Sequence, residues 1–463
     1  MHYRLLHRSV FVSACAAFLN FGQADVVRQP LQTGVIFDMG QIVHSNYPEV
    51  HDGQMLQSTS LLISQSVDVN ERLNITIGVG GLFFYSIPNV IGLSYQRSIK
   101  YGTIVDEAMG SVKLGAVDHP MGHLQFGIIP FKYNRDAKNL GEFLLRDNAY
   151  PTTMVSGGVS IINSAGFHTE GAGFQAEGVN LEMQTGPITH DLLVYTERGI
   201  EPNGDITPAY VFSYKPHPAI ELGGGVAFAH LISLKPSRTT PNGPGPGISD
   251  ASAPSLPLNR YKNDTLVTDI KDSGYSNYTY QSIKVMARVA VNFQSILHSE
   301  LLGPEDLKLY SEVAILGVQN YPFYYSDIWN RIPVMGGVNL PTFRLLDRLS
   351  FEMEYLKTAF PNNIYFSYWK NSLPVPGIVT TGQTYHELVA SWDKNSLSSR
   401  DIKWSLYLKR KVIPGLTLYA QVASDHMRGY DANVGPNVLV PLPEPIIRTP
   451  SDWYYLVRLD LGI

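Results

Sequence analysis

Residues 73–85 read LNITIGVGGLFFY, and this stretch decides the fold. Apolar residues hold most of its odd positions from Leu73 to Phe83, whereas Asn, Thr and Gly hold the even positions up to Gly80. A period of two sends the two sets to opposite faces of a β-strand. Strands of soluble proteins run about five to six residues, and tilted transmembrane strands need about nine to eleven. Residues 73–85 therefore predict a strand that crosses a membrane.

The same alternation recurs along the chain. It covers residues 34–44, 282–293, 349–355, 402–408 and 453–463. Short connections rich in Gly, Pro and Asn alternate with long ones, as in outer-membrane barrels with short periplasmic turns and long outside loops. The pattern predicts an all-β fold, a single closed antiparallel transmembrane β-barrel of about 16 strands, within a range of about 14 to 18. Residues 233–278, rich in Pro and Gly, are predicted to form a mobile loop within this one domain.

The N-terminus resembles an export signal in its pattern. Arg4 and Arg8 precede an apolar run at residues 9–21, and small residues offer a cleavage site before Asp25. Residues 1–24 are therefore predicted to be a signal peptide. The alternative is a buried N-terminal helix.

Cys15 is the only cysteine of the chain. The residues before it also fit a lipoprotein signal, in which case cleavage would leave Cys15 as a lipidated N-terminus. With cleavage before Asp25, residues 25–463 form the mature barrel and contain no cysteine. That chain has no disulfide framework and no thiolate metal site.

The composition excludes several classes of protein. Asp and Glu number 40 against 35 Lys and Arg, a net charge of -5, so the chain has no basic footprint for nucleic acid. Its 27 Tyr and 19 Phe exclude intrinsic disorder. The motifs of metalloproteases, serine hydrolases and phosphate loops are missing, and the His residues show no metal spacing. We therefore expect no enzymatic activity, no cofactor, no bound metal and no nucleic-acid partner.

Opposed charges cluster at residues 134–150. One interpretation is a loop folded into the barrel, where such charges narrow the lumen and set ion selectivity. The other is a solvated outside loop with internal salt bridges, which the sequence favours slightly. Because the charges cancel, even the first interpretation predicts no strong ion preference. The candidate pore-constriction residues are Arg135, Asp136, Lys138, Glu142, Arg146 and Asp147.

Further charges lie on the polar phase of the predicted strands. In a closed barrel this phase faces water in the lumen, whereas in a soluble sheet it would be the outer face. The candidate lumen-facing residues are Lys284, Arg288, Glu312, Glu352, Glu354, Lys403 and Arg458.

Two blocks carry a resemblance to known proteins. Residues 133–146 read YNRDAKNLGEFLLR, and residues 332–337 read IPVMGG. On the basis of these blocks, the chain after residue 24 resembles a family of porin-like outer-membrane β-barrels of Gram-negative bacteria. Neither block carries a known chemical function. The resemblance implies an outer-membrane location in contact with lipid, passive uptake of small solutes and, as often in porins, a homotrimer. The last strand resembles the one that the barrel-assembly machinery reads, although it ends in Ile463 where Phe or Trp is usual.

Two functions fit these predictions best. The first is a porin-like channel for passive diffusion of small hydrophilic solutes. The alternative is a barrel with a structural or adhesive role, which binds an extracellular polymer through its loops. A third alternative is a soluble exported β-rich protein that binds carbohydrate.

Overall fold

The computed structural model describes most of the strands and part of the connections. The described residues are 27–47, 50–86, 100–145, 174–196, 204–232, 261–262, 265–266, 282–318, 325, 327–357, 400–425, 427 and 446–462.

Sixteen long strands form one closed antiparallel barrel, which confirms the predicted fold class. In chain order they are β1 (Gln32–His44), β2 (Met55–Asp68), β3 (Leu73–Ser86), β4 (Lys100–Gly115), β5 (Pro120–Phe131), β6 (Phe174–Thr185), β7 (Ile188–Thr196), β8 (Ile206–His217), β9 (Ile220–Ala229), β10 (Ser282–Asn292), β11 (Lys308–Ile315), β12 (Val334–Asn339), β13 (Arg348–Lys357), β14 (Arg400–Ile413), β15 (Leu416–Ser424) and β16 (Trp453–Gly462).

The barrel closes between its last and first strands. β16 pairs antiparallel with β1, and Leu461 lies opposite Val35 in this register. Each other barrel strand pairs with its neighbours in sequence, and the short strand Val27–Arg28 adds to β2. Closure removes the open strand edges whose backbone groups lipid could not satisfy.

The connections form two sets at opposite ends of the barrel. At the turn end they are as short as residues 186–187 and 414–415, and both β1 and β16 have their outer termini here. At the loop end they include residues 132–173 and 230–281. This asymmetry is the one that the sequence predicted.

Two turn-end connections, residues 293–307 and 340–347, are longer than the neighbouring tight turns. The buried carboxylate of Asp306 stabilises both of them. It accepts the backbone N–H of Gly303 at 2.9 Å and the hydroxyl of Thr342 at 3.0 Å. Hydrogen bonds to Asp306 therefore join these two connections at the turn end of β10 to β13.

The outer face of the barrel is apolar, and strands all around the barrel carry large exposed apolar side chains on it. Examples are Leu61, Val105, Val194, Val289, Met353 and Leu459. Such a band suits contact with lipid tails. In the described part of the chain, no helix is long and apolar enough to cross a bilayer.

The inner face carries polar and charged residues together with two apolar clusters. The larger cluster surrounds residues 133–145 and extends over β5 to β13. The smaller one lies at the loop end, between β1, β2 and β14 to β16, and includes Ile42, Leu56, Tyr407, Ile446 and Tyr454.

Candidate functional site

The described part of the predicted constriction block lies inside the barrel. Residues 132–145 leave β5 and fold inward, and we call them the inward segment. Most of its residues are buried, and Arg135 is the only one with an exposed side chain. The solvated outside loop, which the sequence slightly favoured, is therefore not what residues 132–145 form. Arg146 and Asp147 lie outside the described residues.

Glu352 of β13 holds the backbone of the inward segment. Its carboxylate accepts the N–H groups of Lys138, Asn139 and Leu140 at 2.6, 2.8 and 3.0 Å. The hydroxyl of Tyr310 also donates to it, at 2.8 Å. Successive N–H groups arranged around one anion form a binding concavity, and here the anion belongs to the barrel wall.

The next N–H groups of the segment reach two other wall carboxylates. Glu354 accepts from Gly141 at 3.0 Å, and Glu312 accepts from Glu142 and Phe143 at 3.1 and 2.8 Å. The chain can turn between these carboxylates because Gly141 and Glu142 both adopt positive φ angles, 82° and 57°. Six consecutive N–H groups of residues 138–143 thus end on three side chains.

Side chains of the segment complete the environment of Glu312. The hydroxyl of Tyr133 and the amide of Asn134 each donate to its carboxylate at 2.7 Å. Burial and the negative charge of Glu312 raise the pKa of Tyr133 well above its ordinary value, so the phenol remains a donor. A buried carboxylate is costly unless it is hydrogen-bonded, and these donors meet that requirement.

Apolar contacts fix the other side of the inward segment. Its Leu140, Phe143, Leu144 and Leu145 are at most 4% exposed. Leu144 packs over Gly225 of β9, where an added Cβ would lie 2.8 Å from its Cδ2 atom. The wall residues of this cluster include Leu193, Ala209, Val211, Ala227, Met286, Ala290, Ala314 and Met335.

Most charged side chains of the predicted constriction have partners. Asp136 forms an ion pair with Lys308 of β11. The ammonium group of Lys138 donates to the carbonyl oxygen of Arg135 at 2.8 Å. Glu142 accepts the backbone N–H of Asn134 at 3.1 Å. The inward segment thus uses these charges to hold its own position.

The candidate lumen-facing residues all lie on the inner face, and none is more than 8% exposed. Glu312, Glu352 and Glu354 hold the inward segment, and Lys403 forms an ion pair with Glu354. Protein groups therefore surround them where the sequence suggested water. The full set is Lys284, Arg288, Glu312, Glu352, Glu354, Lys403 and Arg458.

Several partners of these residues were missed by sequence reasoning. Arg288 donates to Glu221 of β9 at 2.6 Å, and Arg458 pairs with Asp38 of β1. Glu221 and Asp38 both lie at inward-facing positions of their strands, so the alternation of the sequence could have placed them on the inner face. The partner of each acid depends on strand register, which alternation alone does not reveal. Within the described residues, no group of three or more His, Cys, Asp or Glu could hold a metal ion.

The closed 16-strand barrel, its apolar outer face and a loop segment folded into the lumen together define a porin-like outer-membrane β-barrel. No protein-family model matches the chain, and no curated protein matches it.

Solved porin structures align with most of the chain. Two variants of the Rhodopseudomonas blastica porin align with TM-scores of 0.43 at 6% and 7% identity. Each alignment covers 94% of this chain and 100% of the porin chain. A structure described as "Asymmetric conductivity of engineered proteins" aligns with a TM-score of 0.40 at 6% identity, over 95% of this chain and 100% of its own. The porin-like class follows from this chain's own closed barrel.

Proposed function

We propose that the protein is a channel for passive diffusion of small hydrophilic solutes. The observation that carries this proposal is the inward segment, which three wall carboxylates hold within the barrel. Barrels of about 16 to 18 strands are wide enough for an aqueous channel. A fixed segment inside such a barrel sets the size limit of the solutes that pass.

Short side chains on one part of the inner wall support an open passage. The backbone N–H groups of residues 138–143 donate to β11 and β13, and the side-chain amide of Asn139 donates to Asp425, the residue after β15, at 2.8 Å. On β2, the inner face carries the buried residues Ser58, Ser60 and Ser64, and the hydroxyls of Ser58 and Ser64 donate to Asp38 and Glu107 at 3.0 Å. These short side chains occupy little of the cross-section of the barrel, which favours room for solutes beside β2.

A specific observation also favours the structural alternative. The candidate lumen-facing charges are buried and engaged by protein groups, and the smaller apolar cluster lies inside the barrel at the loop end. Both features suit a barrel whose interior is filled. Its long loops would then bind an extracellular polymer, and no solute would cross.

Conductance separates the two functions. Purified protein in planar bilayers is expected to give stable, stepwise ion currents. Boiled protein and detergent alone are the controls, and a mobility shift on boiling verifies that the sample is a folded barrel. Folded protein that carries no current would contradict the channel and favour the structural role.

We further propose export and insertion of the mature chain in a Gram-negative cell. Cleavage before Asp25 would yield a barrel of residues 25–463, which the assembly machinery receives through β16. Mass spectrometry of protein from the outer-membrane fraction tests this, because lipidation at Cys15 gives a different mass. Light scattering of the purified protein tests the homotrimer.

A further inference from the structure

The two long turn-end connections, residues 293–307 and 340–347, carry an exposed apolar surface. Its large side chains are between 37% and 75% exposed, and we call them the turn-end patch. They are Phe293, Ile296, Leu297, Leu301, Leu340, Phe343 and Leu345. By contrast, the shorter turns at residues 69–72 and 116–119 read VNER and AVDH and carry no large exposed apolar side chain. A large exposed apolar surface marks contact with a protein or a membrane.

Hydrogen bonds hold the two connections against each other. Besides the contacts to Asp306, the guanidinium of Arg344 donates to the carbonyl oxygen of Leu302 at 3.4 Å. These bonds bring the exposed Leu301 and Phe343 onto adjoining segments, since each directly precedes a bonded residue. The turn-end patch is therefore one surface shared by both connections.

The turn-end patch continues the apolar outer face of the barrel. Phe293 stands at an outward position four residues after the exposed Val289 of β10, and its N–H donates to the carbonyl oxygen of Leu307 at 3.0 Å. Leu340 follows β12 in the same way, and its N–H donates to the carbonyl oxygen of Leu349 at 2.8 Å. Because alternate residues of a strand share a face, both side chains prolong the outer surface beyond the strand ends.

The wall next to the patch contains the shortest strands of the barrel. β11 and β12 have 8 and 6 residues, whereas tilted transmembrane strands need about nine to eleven. At the loop end, single backbone bonds prolong their pairing irregularly, as from the N–H of Leu316 to the carbonyl oxygen of Arg331 at 2.9 Å. The apolar height of this part of the wall therefore depends on its connections, and the turn-end patch supplies it on the turn side.

Two arginines lie beside the patch. Arg344 follows Phe343 and is exposed. Arg410, at an outward position of β14, donates to the carbonyl oxygen of Arg344 at 3.0 Å, and its Nη1 lies 3.8 Å from Oδ1 of Asp347. Basic groups next to apolar side chains are typical of segments that lie in a membrane interface. Together with the continuity of the outer face, these cations favour a phospholipid surface over a soluble protein partner.

We infer that the turn-end patch lies in the phospholipid leaflet on the turn side of the barrel, at the boundary between headgroups and acyl chains. Arg344 then stands near the lipid phosphates. This inference rests on the proposed insertion of the barrel into the outer membrane. It adds an interfacial anchor on the side of β10 to β13, and such anchors restrain the tilt of a membrane protein.

Depth-dependent fluorescence quenching tests the inference. A chain of residues 25–463 contains no cysteine, so one fluorophore can be attached at Leu345→Cys or, in the other connection, at Leu301→Cys. Each variant is refolded into vesicles of phosphatidylethanolamine and phosphatidylglycerol, and its gel mobility shift on boiling verifies the barrel. Val289→Cys on the outer face is the reference for lipid, and Asp118→Cys in an exposed turn is the reference for water.

The labels that replace Leu301 and Leu345 should be quenched by brominated lipid and should lose most of the quenching by aqueous iodide seen for Asp118→Cys. If they behave like Asp118→Cys while Val289→Cys is quenched by lipid, the inference is wrong and the barrel is still inserted. Shielding from both quenchers would mean that protein, such as a second copy, covers the patch, and this also overturns the inference. If lipid does not quench Val289→Cys in the folded protein, the proposed insertion itself fails, and the inference with it.

Discussion

Arg458 on the last barrel strand donates two hydrogen bonds to Asp38 on the first, from Nε to Oδ1 at 2.7 Å and from Nη2 to Oδ2 at 3.0 Å. The hydroxyl of Ser58 donates to the same carboxylate at 3.0 Å. Asp38 is fully buried. The bidentate pair therefore lies on the seam where the barrel closes and favours one register of β16 against β1.

We predict that Arg458→Gln destabilises the barrel by about 3–5 kcal/mol, because it leaves the Asp38 carboxylate buried without its cation. The free energy of unfolding in urea and the temperature of the gel mobility shift measure this effect. Arg410→Gln is the matched control, since the Arg410 side chain is 42% exposed and its loss should cost at most about 1 kcal/mol. Equal losses in the two variants would show that the seam pair does not stabilise closure.

The sequence predicts the strands well and their interior partners poorly, for a physical reason. Lipid requires an apolar outer phase along every strand, so alternation such as that of residues 73–85 is visible locally. The interior follows no such rule. The hydrogen-bond or ion-pair partner of each polar side chain there depends on the register between neighbouring strands. Asp38 and Arg458 are 420 positions apart, and no local pattern connects them.

The inward segment illustrates the same limit. Residues 134–150 stand out by their charges, but backbone N–H groups make most of the hydrogen bonds that hold the described part, residues 134–145. Glu352 lies 214 positions after Lys138 in the chain. The sequence therefore identified the block but did not reveal that the charges of β13 bind it.

Glu352→Gln should loosen the inward segment. The substituted side chain would present an amide NH₂ group to a site where three N–H donors converge, and hydrogen bonds to a charged acceptor contribute about 1.5–3 kcal/mol each. We expect faster hydrogen exchange at residues 138–140 and larger, noisier single-channel currents. Glu71→Gln, at an exposed turn-end position, should change neither. Unaltered exchange at residues 138–140 would argue against Glu352 as their anchor.

Gly141→Ala should displace the segment by a different route. Gly141 has a φ of +82°, and an added Cβ would lie 2.6 Å from the Cε atom of Met335. Gly186→Ala is the matched control, because Gly186 has a φ of +58° but nothing within 4 Å of the added atom. Both variants carry backbone strain of about 1–2 kcal/mol, so only Gly141→Ala should also raise exchange at residues 138–143. If the two variants behave alike there, contact with Met335 does not position the segment.

Leu61→Arg tests the lipid-facing surface. Leu61 lies at the middle of β2 and is 45% exposed on the outer face. Arginine on the lipid face near the bilayer midplane costs about 2–4 kcal/mol, and near the interface about 0–1. Met121→Arg is therefore the matched control, since Met121 is 67% exposed near the turn-end start of β5. Folding titrations into lipid vesicles should show a clearly larger loss of stability for Leu61→Arg. Equal losses would mean that the band around Leu61 does not meet the hydrocarbon core.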